Sequence, residues 1–225
     1  MQLFGDLHWL KSYAGSGFLF EDTAGWVLVD TGMWGLVDPV KYLAKRGIAA
    51  SAITHILITH ADVDHISGLE SIQKQTGATV VIGSESLAHV RAATFPKHNR
   101  SYIDNLAPRF VRTQPLTTDK VIEVSDGETL PLMGGLQVIA TPGHTADHFS
   151  FYSPVHGILF AGDAINRFGG TLQCSQRFIS ADYSLAKQSA LKLAALAPAM
   201  FACGHGTPYL HSFEDLDALF ANLRR

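Results

Sequence analysis

Residues 58–68 read Ile-Thr-His-Ala-Asp-Val-Asp-His-Ile-Ser-Gly, which places His60, Asp62, Asp64 and His65 within six residues. Crowding two imidazoles and two carboxylates at a strand end costs free energy unless something pairs with them. A divalent ion would pair with them all. The stretch reads as part of a binuclear metal site that activates water. Three more glycine-flanked strand ends carry donors of the same kind: Thr141-Pro142-Gly143-His144-Thr145, Gly162-Asp163-Ala164 and Cys203-Gly204-His205-Gly206. Glycine permits close backbone approach, so ligands from several strand ends can converge. The candidate set is His60, Asp62, Asp64, His65, His144, Asp163 and His205. Imidazole with carboxylate suits zinc first, with iron or manganese as alternatives, and needs no thiolate.

The elements that must carry these residues follow from pattern. Strands are expected at residues 7–13, 17–21, 26–29, 53–58 and 79–82, and again at 120–124, 129–132, 136–141, 149–153, 158–161 and 200–203. Asp38-Pro39 opens a helix that Gly47 stops. Further helices are expected at residues 69–76 and 84–92, along the face marked by Ala186, Ala190, Leu193, Ala194 and Ala197, and after a capping box at Ser212-Phe213-Glu214-Asp215 with Arg224 and Arg225 at its end. Strands followed by helices occur twice, in residues 1 to about 92 and about 119 to 225. The expectation is an α/β (α+β) chain forming a four-layer αββα sandwich as one domain, residues 1–225. Residues 94–118 mix aromatic and cationic side chains without a period, and read as a cap over the site or a variable loop.

Composition excludes several classes. The 225-residue chain is 47% hydrophobic and 16% charged, with a formal net charge of −3. A sizeable core is expected, disorder is not, and no basic run invites nucleic acid. Two cysteines, Cys174 and Cys203, favour the cytoplasm over an oxidising compartment. No signal peptide and no membrane-spanning run are legible. A small-molecule substrate and a monomer or homodimer are expected.

The motifs together resemble the metallo-β-lactamase-fold superfamily. The residues that carry the resemblance are Asp30-Thr31-Gly32, Thr59 to His65, Thr141 to Thr145, Gly162-Asp163 and Gly204-His205, in the family's order along nearly the whole chain. The resemblance implies the αββα fold and a site at one edge of the two sheets. It implies one metal on His60, Asp62 and His144, a second on Asp64, His65 and His205, and Asp163 bridging them. The implied chemistry is hydrolysis by a metal-bridged hydroxide, with Asp64 also orienting the nucleophile or carrying a proton. A small ester, thioester or lactone is the expected substrate, as in glyoxalase II and the lactonases. One departure matters: the family motif usually reads His-x-His-x-Asp-His, and here Asp62 replaces the middle histidine. Three carboxylates would leave two divalent ions with about +1 of net charge instead of +2, which acidifies water less and favours harder ions.

Other residues are weighed one by one. Asp30 reads as a buried carboxylate orienting the ligand loop. His148 reads as a partner of the ligands or as the opening of a strand. His55 reads as structural and Cys203 as a core residue. Arg167, Arg177 and Tyr209 are candidate substrate contacts, with surface charge as the plainer account of the two arginines. His8, His89, His98, His156 and His211 carry no assignment. Two other functions stay open: a mononuclear iron dioxygenase acting on a persulfide through His60, His144 and Asp163, and a low-turnover metal-containing binding or regulatory protein.

Overall fold

The computed structural model describes every residue except 1, 5, 13, 34–37, 100–112, 211, 212, 224 and 225. The chain divides into two compact units, Met1–Phe95 with Pro108–Val124, and Pro96–Ala107 with Ser125–Arg225.

The first unit is built on a seven-stranded mixed sheet in sequence order. Its strands are β1 (Gln2–Phe4), β2 (Leu7–Leu10), β3 (Gly17–Asp22), β4 (Gly25–Val29), β5 (Ile53–Leu57), β6 (Thr79–Gly83) and β7 (Val121–Val124). β1 to β4 are antiparallel; β4 to β7 are parallel. Parallel strands need crossovers, and the helices supply them: α1 (Pro39–Ala44), α2 (Val63–Ile66), α3 (Leu69–Thr76) and α4 (Ser84–Ala92). One sheet face, with Leu19, Leu28, Ile56, Val80 and Ile82, packs against Leu43, Ile66, Leu69, Ile72 and Val90 of those helices. Alternate residues Leu7, Phe18, Phe20, Val27, Leu57 and Val81 are also buried, so both faces are shielded from water. Asp38 caps α1 as expected, Oδ1 accepting from the amides of Val40 and Lys41 at 2.9 and 3.1 Å.

The second unit has a six-stranded sheet in the order β15-β14-β11-β10-β9-β8. These are β8 (Thr129–Leu130), β9 (Leu136–Ala140), β10 (Phe149–Ser153), β11 (Ile158–Gly162), β14 (Met200–Cys203) and β15 (Tyr209–Leu210). All neighbours are antiparallel apart from the parallel pair β11 and β14. A separate hairpin, β12 (Ile165–Phe168) and β13 (Thr171–Cys174), rises between β11 and the helix α5 (Tyr183–Ala194); α6 (Phe213–Leu223) closes the chain. Leu159, Ala161 and Phe201 pack with Ala190, Leu193 and Ala194 of α5, Leu216, Leu219 and Leu223 of α6, and Leu172 of the hairpin. The α+β class and two mixed sheets flanked by helices are as expected.

Four expectations need correction. Residues 120–124 belong to the first sheet, because β7 pairs in parallel with β6, Val80 against Val121. Local pattern does not encode which partner a short strand chooses. The first predicted strand stops at Leu10, and the strand predicted at 129–132 stops at Leu130. Ala197 does not extend the α5 face: it is exposed with φ +47° after a helix that ends at Ala194, and Pro198 disfavours helical backbone in the residue before it. The hairpin was not expected, its strands being short and half polar, although Gly169-Gly170 marked the turn. Most of the predicted cap, residues 100–112, lies outside the described residues, as do Tyr13, His211, Ser212, Arg224 and Arg225. Leu116 is buried, and Thr117 is held by Glu70, whose carboxylate accepts from its amide at 3.0 Å and its hydroxyl at 2.7 Å.

Candidate metal centre

In the first unit β5 ends at Leu57, and the next residues turn out of the sheet with the Ile58 amide donating to Val81 O at 2.9 Å. Thr59, His60 and His65 are buried. Asp62 stands at the N-cap of α2, yet its side chain makes no capping bond. Its Oδ2 lies 3.4 Å from His60 Nε2 instead. That spacing is long for a hydrogen bond. It matches the separation of about 3.4 Å between two donors each ~2.1 Å from a tetrahedral ion.

Asp30 organises this group. It ends β4 with φ +54°, an arrangement unusual outside glycine, asparagine and aspartate. Its Oδ1 accepts from the Thr59 amide at 2.9 Å; its Oδ2 accepts from Thr59 Oγ1 and from His65 Nδ1, both at 2.8 Å. The Thr59 hydroxyl has one proton, given to Asp30, so at 3.0 Å it accepts from His60 Nδ1. One carboxylate therefore fixes both imidazoles as Nδ1–H tautomers, leaving Nε2 of each as the donor atom for an ion. Thr31 adds two bonds to His65 O, at 2.7 Å from its amide and 2.8 Å from its hydroxyl.

In the second unit Asp163, after β11, is buried, and its Oδ2 lies 3.4 Å from His144 Nε2 and 3.2 Å from His205 Nε2. The same donor spacing recurs, here with one carboxylate oxygen between two imidazoles. Each ligand is held from behind. His144 Nδ1 pairs with Ser175 Oγ at 2.8 Å. Gly143 has φ +132°, and a Cβ there would stand 2.1 Å from Ala186 N, so only glycine lets this loop lie against the start of α5. His148 Nε2 accepts from the Asp163 amide at 2.9 Å, so its proton is on Nδ1 and is given to Thr141 Oγ1 at 2.8 Å. His148 thus bonds the backbone of Asp163. Asn166 ties the remaining pair, accepting from the His205 amide at 2.9 Å while its own amide reaches Asp163 O at 3.4 Å. Phe168 stacks on the His205 ring.

The candidate substrate residues fall in two places. The Arg167 guanidinium lies 4.3 Å over the Tyr209 ring, donates to Gly170 O at 3.2 Å and bonds Thr207, while the Arg167 amide donates to His205 O at 3.1 Å. Both residues thus brace the His205 loop. Arg177 is exposed beside Tyr183. Cys203 is fully buried, and burial, helped by nearby Asp163, pushes its thiol up to about 12, which suits a core residue. His55 is held below its ordinary value by burial and contacts Thr54, a structural role. Thr59, Ser175 and Asn166 were not singled out in advance as ligand partners; single hydroxyls and amides carry no spacing signal. His98 was not either, and its ring meets His144 edge-on at 5.3 Å between centroids.

The model of the Metallo-beta-lactamase superfamily matches residues 13–205. The chain is similar to the probable metallo-hydrolase YflN of Bacillus subtilis (strain 168), 28% identical over 200 residues that cover 81% of this chain and 76% of that protein. It is 32% identical over 190 residues to the hydroxyacylglutathione hydrolase of Rhodobacter capsulatus, covering 84% of this chain but only 60% of that longer enzyme. Among solved structures, ST1585 from Sulfolobus tokodaii, an archaeal metallo-beta-lactamase superfamily protein, superposes with a TM-score of 0.73 at 21% identity, over 99% of this chain and 86% of that one. At that identity the likeness shows the fold alone.

Proposed function

The chain belongs to the metallo-β-lactamase superfamily, and from that premise we propose that it is a metal-dependent hydrolase of a small ester, thioester or lactone. The observation that carries this reading is Asp163, whose Oδ2 stands at ligand spacing from two imidazoles on different loops. A carboxylate shared in this way suits a bridging role between two ions. We assign His60, Asp62 and His144 to one divalent ion and Asp64, His65 and His205 to a second. Zinc is the first expectation, with iron or manganese favoured by the oxygen donor Asp62.

The ions would supply Lewis acidity and an acidified water. The chain's own residues do the rest. Asp30 and Thr59 hold His60 and His65 in the tautomer that presents Nε2. His148, Asn166 and Ser175 do the equivalent for Asp163, His205 and His144. Asp64, in the first turn of α2, is assigned the proton transfer: its carboxylate takes a proton from the attacking water and gives it to the leaving alkoxide or thiolate. The name hydroxyacylglutathione hydrolase puts an acyl-group hydrolase among the relatives, which supports an acyl bond as the target. Among the described residues no helix is long and apolar enough to cross a membrane. The net charge of −3 argues against a polyanionic partner, and we propose a small-molecule substrate, a cytoplasmic location and a monomer or homodimer.

The test is elemental analysis of the purified protein beside a panel of esters, thioesters and lactones. Near two zinc, manganese or iron atoms per chain, and activity that a chelator abolishes and the metal restores, are expected. One iron per chain with oxygen consumption would replace the proposal with the dioxygenase. No activity on the panel with tight metal retention would leave a binding role.

A further inference from the structure

Resting on the hydrolase reading, we propose that Phe168 is a positioning residue of the metal centre: its ring holds the His205 imidazole in its ligating orientation and shields it from competing water. His205 is the ligand of the second unit with most need of such support. Its side chain is 25% exposed, against 3% for His144 and for Asp163. An exposed side chain keeps rotamer freedom that metal binding must remove, and solvent access loosens a metal site.

The hairpin β12–β13 delivers that ring. Side chains alternate between the two faces of a strand. One face of the hairpin carries Ile165, Leu172 and Cys174 into the core shared with Leu219 and Leu223 of α6. The other carries Asn166 and Phe168, and both meet His205: Asn166 takes the backbone amide, Phe168 the ring. The two rings lie 6.3 Å apart between centroids with 24° between their planes, within the range of offset stacking. The backbones are in contact as well. Gly206 has φ +87°, and a Cβ there would stand 1.9 Å from Arg167 O, so β12 lies directly against the residue after His205. The Phe168 carbonyl accepts from Thr171 Oγ1 at 3.1 Å and from Gln173 Nε2 at 3.3 Å, which fixes the residue at the turn. Ser175, next after β13, bonds His144 Nδ1, so one hairpin serves both imidazoles around Asp163. An imidazole that shares its Nε2 lone pair with a cation becomes electron-poor, and the negative π face of phenylalanine attracts such a ring. The stack is therefore stronger in the metal-loaded protein, and contributes to metal affinity beyond its part in packing.

The experiment measures zinc affinity by competition with a chromophoric chelator in the unaltered protein and in Phe168→Leu and Phe168→Tyr. Leucine keeps apolar bulk but has no π face; tyrosine keeps the ring. Phe168→Leu should bind zinc about tenfold more weakly, as expected for a residue that supports a ligand. Phe168→Tyr should stay within about twofold of the unaltered protein. Phe178→Leu, at an exposed phenylalanine of the same unit, should match it. The visible spectrum of the cobalt(II)-loaded protein should change in the leucine variant and not in the tyrosine variant, since only the former lets the His205 ring turn. Urea midpoints of the metal-free forms should agree. Equal affinity in all forms, equal loss in both Phe168 variants, or a urea midpoint that falls in step with the affinity overturns the proposal. Zinc bound without hydrolysis of any ester, thioester or lactone defeats the hydrolase reading alone, and the affinity ratios still decide the role of Phe168. An unaltered protein that binds no zinc overturns both.

Discussion

At the scale of single residues, Asp62 and Asp30 make opposite predictions. Asp62 stands where an aspartate would cap α2 but makes no capping bond, and its Oδ2 faces His60 Nε2 at 3.4 Å. Asp62→Ala should lower metal content below that of the unaltered protein, while the thermal midpoint of the chelator-treated protein stays within a degree or two, since no cap is lost. Metal content and affinity left intact would remove Asp62 from the ligand set. Asp30→Asn keeps a residue that tolerates φ +54° but takes away the shared acceptor of Thr59 and His65. Metal affinity, measured by competition with a chromophoric chelator, should drop by about 10–100-fold with little change in fold. The donors themselves were legible in the sequence because histidines and aspartates at the ends of apolar strands contradict local folding preference, and such contradictions cluster at functional sites. Their supports were not. Nothing distinguishes Ser175 from any other serine until β13 is folded and its hydroxyl meets His144.

At the scale of elements, glycine marks where two backbones must touch. Gly143→Ala would drive a Cβ into the first turn of α5, 2.1 Å from Ala186 N. A loss of at least ~3 kcal/mol is expected in urea denaturation, since backbone on both sides must move. Gly47→Ala after α1 meets nothing within 4 Å and should cost only the strain of its φ of +74°, about 1 kcal/mol. Equal costs at the two sites would refute close packing as the reason for Gly143. The start of α1 was read well from Asp38-Pro39, which acts through local chemistry, while the helix ends at Ala44, ahead of Gly47. Strand partnership was read poorly. β7 joins the first sheet after a long connection, and the hairpin β12–β13 came from residues too polar to announce themselves as strands.

At the scale of the whole molecule, acid sensitivity follows from two histidines away from the ligands, the buried His8 and the half-buried His55. Arg46 donates to the Tyr42 hydroxyl at 2.8 Å, so that hydroxyl gives its own proton to His8 Nδ1, also at 2.8 Å, which requires an unprotonated nitrogen. Burial first, then Arg46, holds His8 below its ordinary value, and burial does the same for His55. The unfolded chain takes up these protons below about pH 6.5 while the folded chain resists, so stability should fall as pH drops through that value and level off once the folded groups titrate. Urea midpoints of the metal-free protein between pH 7.5 and 5.5 should show this decline. His8→Gln should flatten part of it, and an unchanged slope in that variant would place the sensitivity elsewhere. Asp30 has a different consequence for the molecule. His60 and His65, assigned to different ions, hang from the same carboxylate through Thr59 and directly. Ordering one ring orders the other, so the first ion to bind should lower the entropic cost of the second. Native mass spectra during metal titration should then show empty and doubly loaded chains with little of the singly loaded form, and Asp30→Asn should turn that cooperative filling into a stepwise one.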